Sequence, residues 1–236
     1  MVNLASSREF FGSAIDFFFP PLCLGCGEYT DEASAICSVC VKRISPFKQP
    51  FCLNCMAFYS GECQCLTCNE KTVSLYSFAA YASPIKDIII QYKFKGITSP
   101  AEYFAELLVN QFKSGLSSFD VDVLIPIPLH RSREKVRGYN QATLFAQALS
   151  VYLGVEVDDE IIFRSKKRKP QARLPVSKRS SNISTVFEVD EYSEAKKNCI
   201  LVDDVVTTGS TVLEAKSRLE EKGYFVQAVV SIAHAL

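Results

Sequence analysis

The chain has 236 residues, balances 26 Lys and Arg against 26 Asp and Glu, and is 48% hydrophobic. That length buries a medium core with room for a second, smaller unit. Zero formal net charge excludes a general cationic field for polyanions, so affinity for nucleic acid has to come from locally clustered charge.

The opening residues, "MVNLASSREFFGSAIDFFFPP", lack a basic n-region, and Asp16 interrupts a run too short to span a bilayer. The expectation is a cytoplasmic protein with no transmembrane segment, whose Phe-rich run forms a helix packed on its own domain.

Nine of the ten cysteines then fall between Cys23 and Cys68. "CLGCGEYTDEASAICSVC" sets Cys23 and Cys26 against Cys37 and Cys40, and "CLNCMAFYSGECQCLTC" sets Cys52 and Cys55 against Cys65 and Cys68. Paired C-x-x-C knuckles supply four thiolates, which tetrahedral Zn²⁺ requires. Disulfides are the alternative, disfavoured by a reducing compartment and by the odd count. Cys63 is a spare thiol or a replacement for Cys65, and spacing leaves open a crossed arrangement in which the first and third knuckles share a metal. Full sulfur sets leave no open coordination position, so the role is structural. The segment holds few basic residues (Lys42, Arg43, Lys48 and Lys71), which ranks nucleic-acid contact second. The expected division is 1–71 for an N-terminal helix and double zinc ribbon and 72–236 for a second domain.

In that second part, "SPIKDIIIQYKFKG" predicts a helix with Ser83 as N-cap and Gly96 closing it, and "SPAEYFAELLVNQFKSG" one begun at Ser99 and Pro100. "DVDVLIPIPLH" is a strand uniform enough to be buried on both faces. "RSREKVRGYNQ" is a basic loop, and "GYNQATLFAQALSVYLG" a helix with Leu144, Ala148 and Val151 on one stripe. "IIFRS", "NCILVDD" and "YFVQAVVSIA" are further strands, and "TVLEAKSRLEEKG" a helix ended by Gly223. Strands alternating with helices predict an α/β fold with a mostly parallel sheet.

"CILVDDVVTTGSTV" carries the chemistry. Asp203 and Asp204 end a buried strand, where such sheets bind ligands. The following loop opens a helix N-terminus, whose N–H groups and dipole favour phosphate. Thr207, Thr208, Ser210 and Thr211 add hydroxyls, and Gly209 allows close backbone approach. A ligand with both a phosphate and a diol reconciles acids with a phosphate cradle, and Mg²⁺ can stand nearby. An N-cap Asp before a turn would explain one acid only, and the chain has no Walker-type loop.

"ILVDDVVTTGST" resembles the phosphoribosyl-pyrophosphate (PRPP) signature of type I phosphoribosyltransferases. The resemblance implies that Asp203 and Asp204 hold ribose hydroxyls, that Val206, Thr207, Thr208, Gly209, Ser210 and Thr211 hold the 5′-phosphate, and that Val205 also belongs to the PRPP-binding set. With "FFFPPLCLGCG" and "IPIPLHRSREKVRGYNQA", nearly the whole chain resembles the ComF family, which joins a zinc ribbon to a phosphoribosyltransferase domain and is associated with DNA uptake and use of external DNA. The fold implied is a phosphoribosyltransferase-type mostly parallel sheet with an N-terminal zinc-ribbon module whose metals each take four cysteines. By the same resemblance His130, Arg133, Arg137, Gly138, Asn140 and Gln141 approach the pyrophosphate, Arg137 by bidentate contact.

Residues Arg164 to Arg179 carry eight Lys or Arg and no acid. Lys166, Lys167, Arg168 and Lys169 fit a hood closing over pyrophosphate, or a single-stranded DNA contact. Two functions follow: Mg²⁺-dependent phosphoribosyl transfer, or a non-catalytic module that retains the fold to handle single-stranded DNA with the uptake machinery. A PRPP-sensing regulator ranks third, because no helix-turn-helix is evident. Thr207 stands where some purine-specific relatives carry an acid, which argues against hypoxanthine- or guanine-type acceptors.

Overall fold

A computed structural model describes residues 20–32, 35–59, 65–70, 72–164, 186–190 and 197–235. The Phe-rich N-terminal run, Cys63, Lys71 and the cationic run Lys166, Lys167, Arg168 and Lys169 lie outside the described residues.

In chain order the elements are α1 (Ser38–Arg43), β1 (Phe51–Cys52), β2 (Ser74–Ala80), α2 (Ile85–Phe94), α3 (Pro100–Leu116), β3 (Val123–Pro126), α4 (Arg131–Arg137), α5 (Gln141–Leu153), β4 (Glu156–Val157), β5 (Ile162–Arg164), β6 (Phe187–Val189), β7 (Asn198–Val206), α6 (Ser210–Glu221) and β8 (Phe225–His234). The main sheet runs β1-β2-β8-β7-β3-β4, and β5 and β6 pair separately. From β2 to β4 every pairing is parallel, so the mostly parallel α/β fold is present. β7 and β8 are buried almost throughout, as strands covered by helices on both faces must be.

One hydrophobic layer joins α2, α3 and α5 through Ile88, Phe104, Leu108, Phe145 and Leu149. The opposite layer joins α6, β5 and β6 through Val212, Ala215, Ile162 and Phe187. Full burial of each such side chain contributes about 1.5–3 kcal/mol relative to exposure. α5 carries β3 outward to β4, and α6 carries β7 the other way to β8, on the other face. β3 and β7 are neighbours, so strand order reverses between them, and the crevice beyond their carboxyl ends is where such sheets take ligands.

Three local expectations are corrected, and a fourth holds in part. Ser83 does not cap α2: the N-cap position is Pro84, without a side-chain cap, after a cis Ser83–Pro84 bond. α3 begins at Ser99 and Pro100 as expected, with Ser99 at the N-cap position, and only the side-chain cap bond is missing. The basic segment read as a loop contains α4, capped by His130 and stopped by Gly138 at φ 80°. The buried stripe of α5 is Ala142, Phe145, Ala146 and Leu149 with Ala148, whereas Val151 is exposed and Leu144 half-buried. α5 is apolar on more than one side, and the face with Phe and Leu offers more area to bury than the face with Leu144 and Val151.

The cysteine-rich part shares the sheet. β1 pairs antiparallel with β2, Phe51 opposite Leu75, and Pro46 bridges Ala79.

Candidate ligand site and metal centres

Among the described residues, eight cysteines form two sequential clusters: Cys23, Cys26, Cys37 and Cys40, then Cys52, Cys55, Cys65 and Cys68, with the sulfurs of each within 4.8 Å of one another. Cys65 therefore belongs to the second set, and the crossed pairing does not occur. Sulfur separations of 3.8 Å for Cys26–Cys37 and Cys52–Cys68, and 3.7 Å for Cys55–Cys65, match the edge of about 3.8 Å that a tetrahedron of four sulfurs around zinc has at a Zn–S length of about 2.3 Å.

Backbone polarity prepares these sulfurs. Cys37 N and Gly25 N donate to Cys23 Sγ at 3.2 and 3.4 Å. Burial opposes ionisation of Cys23, but backbone donors from Cys37, Cys26 and Gly25 outweigh it and lower its thiol to about 6. Backbone donation from Cys68 likewise brings Cys65 to about 6. Each cluster thus holds one sulfur that favours the thiolate, the ligand form. Both clusters fit structural Zn²⁺, which when bound cross-links two knuckles and supplies folding free energy.

The carboxylates lie within β7, before its end at Val206. Neighbouring strand residues point to opposite faces. Asp204, buried, meets Lys93 Nζ of α2 at 2.8 Å. Asp203 lies under the influence of Arg164, at the end of β5. Burial and the adjacent Asp204 carboxylate push the Asp203 carboxyl up to about 8, although the Asp204 N–H, Lys93 and Arg164 favour its charged form. Asp203 Oδ1 accepts that N–H at 2.8 Å.

Beyond them Thr207, Thr208 and Ser210 are exposed, and Gly209 is buried at φ 73° as the N-cap residue of α6. The Thr208 and Ser210 hydroxyls lie 3.1 Å apart. Thr211 and Val205 are half-buried and Val206 is buried. The loop leaves the first N–H groups of a 12-residue helix without intrahelical partners.

The loop after β3 stands beside this cradle. Asn140 Nδ2 donates to the Ile127 carbonyl at 3.0 Å, and Asn140 Oδ1 caps α5 by accepting Ala142 N. Arg137 donates to Gln141 Oε1 at 2.9 Å and lies over the Phe94 ring. Gln141 is buried, and its carbonyl accepts the Tyr92 hydroxyl at 2.8 Å. Arg133 lies near enough to Arg164 to lower the latter's pKa, after burial, the larger cause. Arg164 Nε donates to the Pro128 carbonyl at 2.9 Å. His130 Nδ1 accepts Ser132 N at 3.3 Å, which caps α4.

The structure therefore brings together the acids, the Thr/Gly/Ser loop and the β3 loop, and adds Lys93 and Arg164. Asp204 and Lys93 are 111 residues apart, and no local pattern connects them. His234, at the end of β8, is buried. Its ring packs on Phe51 with centroids 4.9 Å apart, and its Nδ1 lies 3.0 Å from the Val206 carbonyl.

Among the described residues, no helix is long and apolar enough to cross a membrane. The double zinc ribbon domain family matches residues 14–69 and the phosphoribosyl transferase domain family residues 140–235. Competence protein F of Haemophilus influenzae is 29% identical over 228 residues, 92% of this chain and 99% of that protein. DNA utilization protein YhgH of Escherichia coli K12 is 30% identical over 195 residues, 80% of this chain and 85% of that one. Competence protein ComFC of Bacillus subtilis is 34% identical over 157 residues, 62% and 58% of the two chains. Among solved structures, adenine phosphoribosyltransferase from Thermoanaerobacter pseudethanolicus is 17% identical with a TM-score of 0.37, covering 70% of this chain and 78% of that one. With both domain types present in order and the Escherichia coli relative 30% identical over 80% of this chain, the chain belongs to the ComF family of double-zinc-ribbon, phosphoribosyltransferase-domain proteins.

Proposed function

We propose that the chain binds a phosphoribosyl ligand, PRPP or a close relative, with Mg²⁺, in the crevice beyond β3 and β7, and that it serves the uptake or use of DNA. The observation that carries the ligand reading is the sequence of groups at the end of β7. Two carboxylates are followed directly by exposed hydroxyls and a left-handed glycine at a helix N-terminus. Helix N–H groups and the Thr207, Thr208 and Ser210 hydroxyls suit a 5′-phosphate. Asp203 suits a diol or a cation: burial beside a second carboxylate makes its charge costly, and hydroxyl donors or a metal offset that cost. Mg²⁺, when bound, would offset negative charge on the pyrophosphate.

Lys93 holds Asp204 at the margin of the same crevice, and Arg137, oriented by Gln141 and Phe94, suits the pyrophosphate. The printed names of the relatives, competence and DNA utilization proteins, support the cellular role. Isothermal titration of the zinc-loaded protein with PRPP, with and without Mg²⁺, tests the reading. Saturable binding strengthened by Mg²⁺ and weakened by Asp203→Asn is expected, and no heat with the wild type would overturn it.

A further inference from the structure

The phosphate loop does not stand on its own sheet alone. Gly209 is buried at φ 73°, and a Cβ placed there would overlap Met56 Cε, lie 3.3 Å from the Leu53 carbonyl oxygen and 3.6 Å from Leu53 Cδ1. Leu53 and Met56 belong to the knuckle Cys52-Leu53-Asn54-Cys55-Met56, one between its cysteines and one directly after them. That knuckle is a tight turn. Met56 N donates to the Cys52 carbonyl at 2.8 Å, Cys52 N to the Ala57 carbonyl at 2.8 Å, and Met56 takes φ 58°. Leu53 is fully buried, and its N–H donates to the Val73 carbonyl.

A second contact grips the other end of the loop. Phe51, one residue before the knuckle, packs on His234, whose Nδ1 lies 3.0 Å from the Val206 carbonyl. The cysteine-rich segment thus touches Val206 through a histidine and Gly209 directly, while Thr207 and Thr208, between them, face solvent. The first cluster is placed otherwise: a Cβ on its Gly25 would meet Cys40 and, at 3.1 Å, Pro84 at the start of α2.

We infer that the first knuckle of the second four-cysteine cluster is the back wall of the phosphate cradle. Leu53 and Met56 act as positioning residues for Gly209, and metal at Cys52, Cys55, Cys65 and Cys68 sets the affinity for a 5-phosphate. This rests on the phosphoribosyl reading and extends it. A left-handed methionine in a two-thiolate turn is costly for a free chain, and a shared metal is what makes it persist. Without it, Leu53 and Met56 leave Gly209, and the loop N–H groups lose their fixed direction. Pre-organised donors lose most of their advantage when they must be ordered at binding.

The test uses the full chain with both metals loaded, titrated calorimetrically with ribose 5-phosphate and, separately, with inorganic pyrophosphate, both with Mg²⁺. Met56→Gly removes the side chain and suits the left-handed backbone, so it should keep both metals and its melting temperature. Its affinity for ribose 5-phosphate should fall roughly three- to tenfold while pyrophosphate binding is retained. Cys68→Ser should lose one metal by atomic absorption and bind ribose 5-phosphate at least about tenfold more weakly. Unchanged ribose 5-phosphate affinity in Met56→Gly and Cys68→Ser overturns the inference and leaves the phosphoribosyl reading standing. Equal losses for both ligands in Met56→Gly overturn it as well, because general damage then explains the result. A wild type that binds neither ligand overturns the reading, and the inference falls with it.

Discussion

The two cysteine clusters share one chemistry and sit in different mechanical surroundings. In the first, Cys23 and Cys40 belong to the large apolar layer with Leu24, Ile36, Ile88 and Phe104. In the second, Cys52 and Cys65 form a small cluster of their own with Tyr59, and the intervening Leu53 is inserted into the opposite layer. Ligand spacing alone makes the sites interchangeable. Their surroundings assign the first to the helices that cover one face of the sheet and the second to the loop at the end of β7.

The largest expected difference is in stability. Cys23 and Cys65 are a matched pair, each buried and each lowered to about 6. Cys23→Ser should lower the melting temperature by on the order of 10 °C or more, because the layer around α2 and α3 loses a cross-link of several kcal/mol and each kcal/mol is worth about 2–4 °C at this size. Cys65→Ser should lower it by less than half as much. Scanning calorimetry with metal analysis checks this, and equal losses would erase the distinction between the clusters.

Next in size is Gly209→Ala, which probes how far the second cluster reaches. A left-handed alanine costs about 1–2 kcal/mol, and its Cβ would overlap Met56. Binding of ribose 5-phosphate should fall by about tenfold or more, with both metals retained. Combining it with Met56→Gly should recover part of the loss, because overlap is removed and backbone strain is not. No recovery at all would mean that Met56 does not constrain the loop.

The first cluster reaches the acids by another route, through α2: Pro84 near Gly25 at one end and Lys93 on Asp204 at the other. Lys93→Met leaves a buried carboxylate without its cation and should lower the melting temperature by about 2–8 °C, for a loss of about 1–2 kcal/mol. Lys93→Met with Asp204→Asn should regain most of it, since removing both charges is cheaper than orphaning one. A double variant as unstable as the single one would show that the ion pair is not what α2 contributes there.

Periodicity and spacing made part of this legible. The cysteine spacing predicted two sets of four thiolates, and uniform apolar runs predicted the central strands, because metal geometry and two-sided burial leave local signatures. Leu53 and Met56 had no such signature. Beside the metal ligands they read as spacer, and their partner, Gly209, is a distant turn residue. Nothing in the sequence distinguishes Lys93 from a solvent-facing lysine of an amphipathic helix. No apolar stripe announces α4, because all of its residues are exposed or half-buried. Asp203 and Asp204 suggest a single clamp because adjacency in sequence hides strand alternation, which puts Asp204 in direct contact with Lys93 and leaves Asp203 influenced at longer range by both Lys93 and Arg164.

That division of the acids gives the smallest and most specific expectation. Asp203, pushed up to about 8, stands above its unfolded value of about 3.9. Between these values the native state binds more protons than the unfolded chain, so this group's contribution to stability falls as pH rises from about 4 to about 8 and is constant outside that window. Asp203→Asn cannot ionise and escapes the penalty. Asp203 is only half-buried, so solvent screens most of the cost of its charge, and in the ligand-free protein the variant should melt about 2–4 °C above the wild type at pH 8.5, with the gap closing as pH falls toward 4. Asp204→Asn should show no such gain, because it discards the partner of Lys93 and leaves that ammonium unpaired. A gain of the same size and pH dependence in both variants would mean that the carboxylates act as one coupled pair, and that the separation of one face from the other does not extend to the acids.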